Sequence, residues 1–270
     1  MSERAYGFDS HLGQFNFCGE IQLAKQKIKA VLFDLGDTLL NYGKLDPHEP
    51  FAQAARQTWT YLKEQGQTVS RYKWLYAARS LLAIRLRMIW SDITQQDFDS
   101  LVVLKKLGKK MGIQLNDQQY ENLVWLWYEP LARLVTIEPD LHNTLSTLRS
   151  RGLKLGVLSN TFVSATALNR HIRQFGLIDF FDFIYYSYEF KKRKPHPEMF
   201  QAAIKKLGFE PGEIVFVGDR IKNDVQGSLG VGMIPVLKTT YANTNQQVPA
   251  GVIKINSIAE LPRVVEQLNR

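Results

Sequence analysis

The sequence predicts an α/β fold, a parallel sheet wrapped by helices on both faces and interrupted early by an all-helical insert. Three observations predict it. Throughout residues 137–270, short apolar runs bounded by turn residues alternate with amphipathic stretches, the pattern of successive βαβ units. A run of the same kind, Ala30–Phe33, stands alone near the start and stops at an acid, Asp34. Between these, residues 51–135 carry only helical periodicity and hold all five tryptophans.

Taken in order, residues 1–26 place Gly7, Gly13 and Gly19 among polar and aromatic residues without a sustained period, so an N-terminal arm is expected there. Ala30–Phe33 has the composition of a buried strand, and Gly36 allows a sharp turn beyond it. Residues 41–50, with Gly43, Pro47 and Pro50, form a linker by composition. Four helices follow over 51–65, 72–90, 95–111 and 117–134. In the second, Leu75, Ala78, Leu82, Leu86 and Ile89 have the spacing of a buried stripe. The tryptophan rings are expected to serve mostly as the core of this bundle.

The later elements are a helix over 140–151, a strand over 153–158 and a helix over 164–175. Then come a strand over 183–186, a helix over 197–207, a strand over 213–217 and a short helix over 223–229. Strands at 234–237 and 252–255 and a helix over 258–268 close the chain. The sheet domain is therefore assigned to 27–45 and 135–270, and the helical domain to 46–134.

Composition narrows the function. The 270 residues are 45% hydrophobic with a single cysteine, Cys18, which excludes an internal disulfide framework and suits a reducing compartment. No run approaches the ~18 apolar residues of a membrane span. Residues 1–17 show neither a secretory leader nor a transit peptide, so a cytoplasmic location is expected. The net charge of +8 has one dense run, Lys191 to Lys194. Elsewhere basic residues alternate with acids, so a solvated surface attracting small anions is favoured over a nucleic-acid groove.

Chemistry-bearing residues collect at the strand ends, where open α/β sheets bind ligands. Asp34 follows the first strand, and Ser159, Asn160 and Thr161 follow the strand over 153–158; a hydroxyl and an amide before a helix can cradle phosphate oxygens. Lys194 precedes two prolines, Pro195 and Pro197, at a helix start, where its charge can be held against a phosphate and an aspartate. Asp219 ends another apolar strand and Asp224 follows at a helix start. Such paired carboxylates suit a hard divalent cation such as magnesium.

These stretches, FDLGDTL at 33–39, LSNT at 158–161, RKPHPEMF at 193–200 and VGDRIKNDVQGSLGVGM at 217–233, together resemble the haloacid dehalogenase superfamily. The insert after the first motif is similar to the α-helical cap of the subclass that carries its cap there. The resemblance implies a Rossmann-like parallel-sheet core with an inserted helical cap. It implies a Mg2+-dependent phosphatase acting on a small phosphorylated metabolite, with Asp34 as nucleophile forming an aspartyl-phosphate. Thr38 and Ser159, with Asn160 nearby, are expected to bind the transferring oxygens and Lys194 to neutralise them. Magnesium is expected on Asp34, Asp219, Asp224 and the carbonyl oxygen of Gly36.

One departure stands out. The phosphatases of this superfamily usually carry a second Asp two residues after the nucleophile, followed by Gly; here Gly36 takes that position and Asp37 the next. That Asp protonates the leaving oxygen and then activates water, so slow turnover is expected unless Asp37 or a cap residue supplies the acid. A non-hydrolytic phosphoryl-binding or regulatory role is the alternative, and metal-free dehalogenation a lesser one. Arg71, Arg79, Arg85 and Arg87 are candidates for a second anionic group on the substrate.

Overall fold

The computed structural model describes residues 27–44, 48–68 and 73–270; the expected N-terminal arm lies outside the described residues. β1 (Ala30–Phe33), β2 (Lys154–Ser159), β3 (Phe183–Tyr186), β4 (Ile214–Gly218), β5 (Ile234–Lys238) and β6 (Ile253–Ile255) form one sheet in the order β3-β2-β1-β4-β5-β6. All five pairings are parallel. The fold is thus α/β and Rossmann-like, as the alternating pattern predicts.

The position of β1 explains its sequence. It lies at the centre of the sheet with both faces covered, and all four residues are fully buried, which is why the run is continuously apolar rather than alternating. Val31 and Phe33 pack on one face with Leu145 and Leu148 of α5 (Leu141–Ser150) and with Leu168 and Ile172 of α6 (Ala165–Gln174). Ala30 and Leu32 face Met199, Phe200 and Ala203 of α7 (Pro197–Leu207). Each large side chain contributes about 1.5–3 kcal/mol by burial, and together they fix where Asp34 emerges.

The insert consists of α1 (His48–Glu64), α2 (Lys73–Thr94), α3 (Ser100–Lys110) and α4 (Asp117–Ala132). α1 packs on α4 and α2, and α4 reaches across to α6 in the sheet domain. The two connections to the sheet domain run side by side, with Asn41 and Thr136 exchanging backbone hydrogen bonds of 2.8 and 3.2 Å.

Local chemistry moved several expected boundaries. α1 starts before Pro50, which occupies the first turn, where a missing N–H costs nothing. α3 starts at Ser100, not at 95: Gln95 adopts φ 58°, and the Asp99 carboxylate caps the helix by accepting from Leu101 N at 2.8 Å. The expected helix over 223–229 is a π-helical stretch, Ile221–Gln226, running into the short α8 (Gly227–Leu229). The chain closes with α9 (Leu261–Leu268).

The stripe read on α2 is not buried. Leu82, Leu86 and Ile89 are each 58% exposed, while Ser80, Ile84 and Ser91 are buried. The inward side packs Ile84 with Phe98 and Val103 and brings Ser91 to Asp97 of the insert and Arg193 of the sheet domain. Leu75 and Ala78 lie among side chains the structure does not describe. Among the described residues no helix is long and apolar enough to cross a membrane.

Candidate active site

The carboxyl edge of the sheet gathers the predicted residues around one cavity of about 410 Å³. Asp34, Gly36, Asp37, Asn160, Lys194, Asp219 and Asp224 all line it. Thr38 and Ser159 are buried beside it, 1% and 4% exposed.

Lys194 is the hub. Its ammonium donates to Asp34 Oδ1, Asp224 Oδ1 and the Leu158 carbonyl oxygen, each at 2.7 Å. Three donors therefore meet three acceptors, which is the condition for burying an ammonium at all. Asn160 fixes the backbone that carries this lysine: its Oδ1 accepts from Lys194 N at 2.9 Å and its Nδ2 donates to Lys194 O at 2.8 Å. Both ends of its amide are thus engaged by protein. Thr38 Oγ1 lies 3.5 Å from Asp34 Oδ2.

Asp219 and Asp224 approach closely because of Gly218. A Cβ at Gly218 would sit 2.4 Å from the Asp224 side chain, so only glycine admits the Asp224 carboxylate there. Asp224 Oδ2 accepts from Arg220 N at 2.8 Å. Asp219 Oδ2 accepts from Thr240 Oγ1 at 3.2 Å, while Asp219 Oδ1 is buried without a hydrogen-bond partner among the described residues.

Oxygens of Asp34, Asp219 and Asp224 all come within 4.8 Å of one another. One lysine faces three acids, and the electrostatics reflect the imbalance. Burial pushes the Asp34 carboxyl up to about 6, with Lys194 pulling it down and Asp224 pushing it up. Asp219 rises to about 7 through burial, then through the charges of Asp34 and Asp224. For Lys194 burial disfavours the charged form, but the two aspartates outweigh it and its pKa is raised. Hard oxygen donors, excess negative charge and an orphaned carboxylate oxygen fit a divalent cation such as magnesium.

Asp37 occupies the position where the turn needs a left-handed residue, at φ 56°; Gly36 does not need one. The Asp37 Oδ1 accepts from Tyr42 N at 2.9 Å and Gly43 N at 3.0 Å, and its Oδ2 accepts from Tyr241 Oη at 3.3 Å. These bonds make it an anchor of its own loop. Arg220 Nη2 lies 3.9 Å away, and Arg220 Nε stands 3.4 Å from Asp219 Oδ2.

Several contributors have no local signature in the sequence. Lys238, 4% exposed, donates to the Thr38 carbonyl at 2.8 Å and pairs with Glu138 at 2.8 Å, bracing the loop that follows β1 from behind. Asn243 donates to the Asp219 and Lys238 carbonyls, both at 2.8 Å.

The two middle residues of the basic run, Lys192 and Arg193, bond to the insert. Lys192 Nζ donates to the Thr94 carbonyl. Arg193 N donates to Gln95 O at 2.9 Å, and its Nη1 meets Asp97 Oδ1 at 3.1 Å and Ser91 Oγ at 3.2 Å. Asp97 Oδ2 accepts from Ser187 Oγ at 2.5 Å. The residue preceding Lys194 is therefore bolted to the α2–α3 connection. Arg79 and Arg87 are exposed, and neither lines the cavity; Arg71 lies outside the described residues, and the Arg85 side chain is not described.

Comparison with known proteins agrees with this geometry. Residues 28–232 match the family model described as haloacid dehalogenase-like hydrolase. A glyceraldehyde 3-phosphate phosphatase of Methanocaldococcus jannaschii is 31% identical over 248 residues, covering 90% of this chain and 99% of that protein. The N-acylneuraminate-9-phosphatase of Homo sapiens is 26% identical, over 90% of this chain and 96% of its own length. The crystal structure of a HAD phosphatase from Thermococcus onnurineus superposes with a TM-score of 0.55 at 27% identity, covering 88% of this chain and 98% of that one.

Proposed function

We propose, because this chain belongs to the haloacid dehalogenase-like hydrolase family, that its Asp34 cluster is the active site of a Mg2+-dependent phosphatase acting on a small phosphorylated metabolite. The observation that carries the reading is the Lys194 ammonium held at 2.7 Å from both Asp34 and Asp224, beside the unpartnered oxygen of Asp219. The named relatives act on small phosphorylated compounds, which supports the substrate class.

Lys194 holds one oxygen of Asp34, leaving Oδ2 to attack phosphorus in line. An O–P bond forms to Asp34 as the bond to the leaving oxygen breaks; water then attacks the aspartyl-phosphate and releases phosphate. With its carboxyl near 6, Asp34 is mostly ionised at neutral pH. Lys194 offsets the charge gathering on the transferring group, with Thr38, Ser159 and backbone amides placed to bind its oxygens. Asp34, Asp219, Asp224 and the Gly36 carbonyl would hold magnesium, which when bound supplies charge neutralisation and orientation of the phosphoryl group. The insert acts as a cap that excludes water and selects the leaving group.

Chelation should abolish turnover, and a second readout is independent of activity. The unfolded carboxylates titrate near ~4, whereas Asp34 and Asp219 titrate at about 6 and about 7 in the metal-free fold. Raised folded values mean stability that is complete below the unfolded pKa and lost as pH rises through the folded ones. Magnesium selects the ionised site, so the melting temperature it adds should be small at about pH 5 and grow to a plateau by about pH 8. An increment independent of pH, or full turnover in excess chelator, rejects this metal site.

Gly36 favours a second reading, a phosphoryl-binding member without turnover. Sustained hydrolysis of a generic aryl phosphate with magnesium excludes it.

A further inference from the structure

A second cavity, of about 360 Å³, lies between the cap helices and the sheet domain. Phe51, Ile84, Leu104, Val124, Trp127 and Leu131 contribute to its lining, together with Phe162 and Met88, which also line the active-site cavity. The two spaces therefore share a wall. Phe98, on the active-site side, stacks against Phe162 with ring centroids 5.6 Å apart. This side of the active site is apolar, and Met88 and Phe162 alone separate it from the space under the cap in the two linings.

The polar cap-side groups are already committed. Ser91, Asp97 and Arg193 bond to one another in the lining of the active-site cavity, so a leaving group rich in hydroxyls would have to break that cluster to be recognised by it. Under the cap, Ser100 Oγ accepts from Ser164 N and the Tyr128 hydroxyl lies in a chain with Tyr42 and His171. Among the described residues the Trp127 indole N–H is buried without a hydrogen-bond partner. An apolar cavity of about 150 Å³ takes a benzene ring; this one has more than twice that volume and falls within the range of small-molecule sites.

We propose that this cavity receives the leaving group, and that the substrate class is a phosphate monoester of an apolar, aryl-sized alcohol. The proposal rests on the phosphatase reading for its chemistry but not for its geometry. The phosphoryl group sits at Asp34 and Lys194, and the organic body passes Met88 and Phe162 into the space bounded by Val124 and Leu131. Desolvating that body supplies binding and selectivity.

The test compares 3-phenylpropyl phosphate with propyl phosphate, whose leaving alkoxides have the same basicity, so the ratio of kcat/KM reads the cavity and not leaving-group chemistry. The phenyl ester should be favoured by about tenfold or more. Val124→Phe and Leu131→Phe, which fill the cavity and touch neither Asp34 nor Lys194, should each bring the ratio towards unity while propyl phosphate turnover stays unchanged. Melting transitions establish that each variant is folded. Binding of 3-phenylpropylphosphonate against propylphosphonate, measured by calorimetry in magnesium buffer, separates cavity from reaction. Tighter binding of the phenyl compound with neither ester hydrolysed supports the cavity and overturns the reaction. Equal binding of the two, or hydrolysis with equal kcat/KM in the wild type, overturns the cavity and leaves the reaction standing.

Discussion

Asp34→Asn lowers turnover of any phosphate ester by at least about 10⁴-fold, the scale seen when a covalent catalyst loses its nucleophile. The amide is nearly isosteric and keeps an oxygen for Lys194, but it has no carboxylate to attack phosphorus. The fold should survive. In the wild type burial pushes the Asp34 carboxyl up to about 6, Lys194 pulling it down and Asp224 pushing it up, so removing that charge relieves repulsion with Asp219 and Asp224. Lys194 retains Asp224 and the Leu158 carbonyl, both at 2.7 Å. Kinetics on one aryl and one alkyl phosphate, with a melting transition of the variant, check the expectation. Wild-type rates in the variant remove Asp34 from the chemistry.

The second large effect concerns the inverted pair Gly36-Asp37. General acid–base catalysis is worth about 10²–10⁴ in rate, so the double variant Gly36→Asp, Asp37→Gly should raise turnover of alkyl phosphates by an amount in that range. Aryl and acyl phosphates should gain less, because their leaving groups need no proton. The backbone permits the exchange. Position 36 has ordinary φ and open space, the nearest atom to a new Cβ being a Tyr42 ring carbon at 3.9 Å. Position 37 has φ 56°, where glycine is at ease. The cost is the loss of the Asp37 anchor, with its bonds from Tyr42 N, Gly43 N and Tyr241, at about 1 kcal/mol each. A folded double variant with lower alkyl-phosphate turnover would place the acid on Asp37, and one with unchanged turnover would place it in the cap.

The sheet and the gathering of polar side chains at its carboxyl edge were legible because both are written locally. β1 reads as a buried strand in four residues, and Asp34, Ser159 and Asp219 each sit at or just past a strand end, where topology alone gathers them. Lys194 was readable from the prolines and the helix start that follow it. What escaped is written across distance. Arg193 and Asp97 form their bond over 96 positions in sequence, so a run of four basic residues looked like a solvated patch when it joins cap to core and supplies the buried lysine. Lys238 reaches the Thr38 carbonyl over 200 positions, and nothing at the end of β5 marks it. Asn160 was read as a phosphate ligand because amides suit oxyanions; its bonds to both backbone groups of Lys194 were not readable, and the residue also lines the cavity. Periodicity misplaced the buried face of α2: Ile84 packs with Phe98 and Val103 and Ser91 bonds to Asp97 and Arg193, while Leu82, Leu86 and Ile89 are exposed.

The most direct test of the covalent route is the intact mass of the enzyme, quenched in acid shortly after mixing with an aryl or acyl phosphate in the presence of magnesium. Without an acid at residue 36, hydrolysis of the aspartyl-phosphate lacks a positioned base, so the adduct should accumulate. The account predicts a species heavier by one phosphoryl group, its mass increment confined to the peptide containing Asp34 and absent from Asp34→Asn. Steady hydrolysis with no adduct at any quench time, or an adduct on any other peptide, would contradict it.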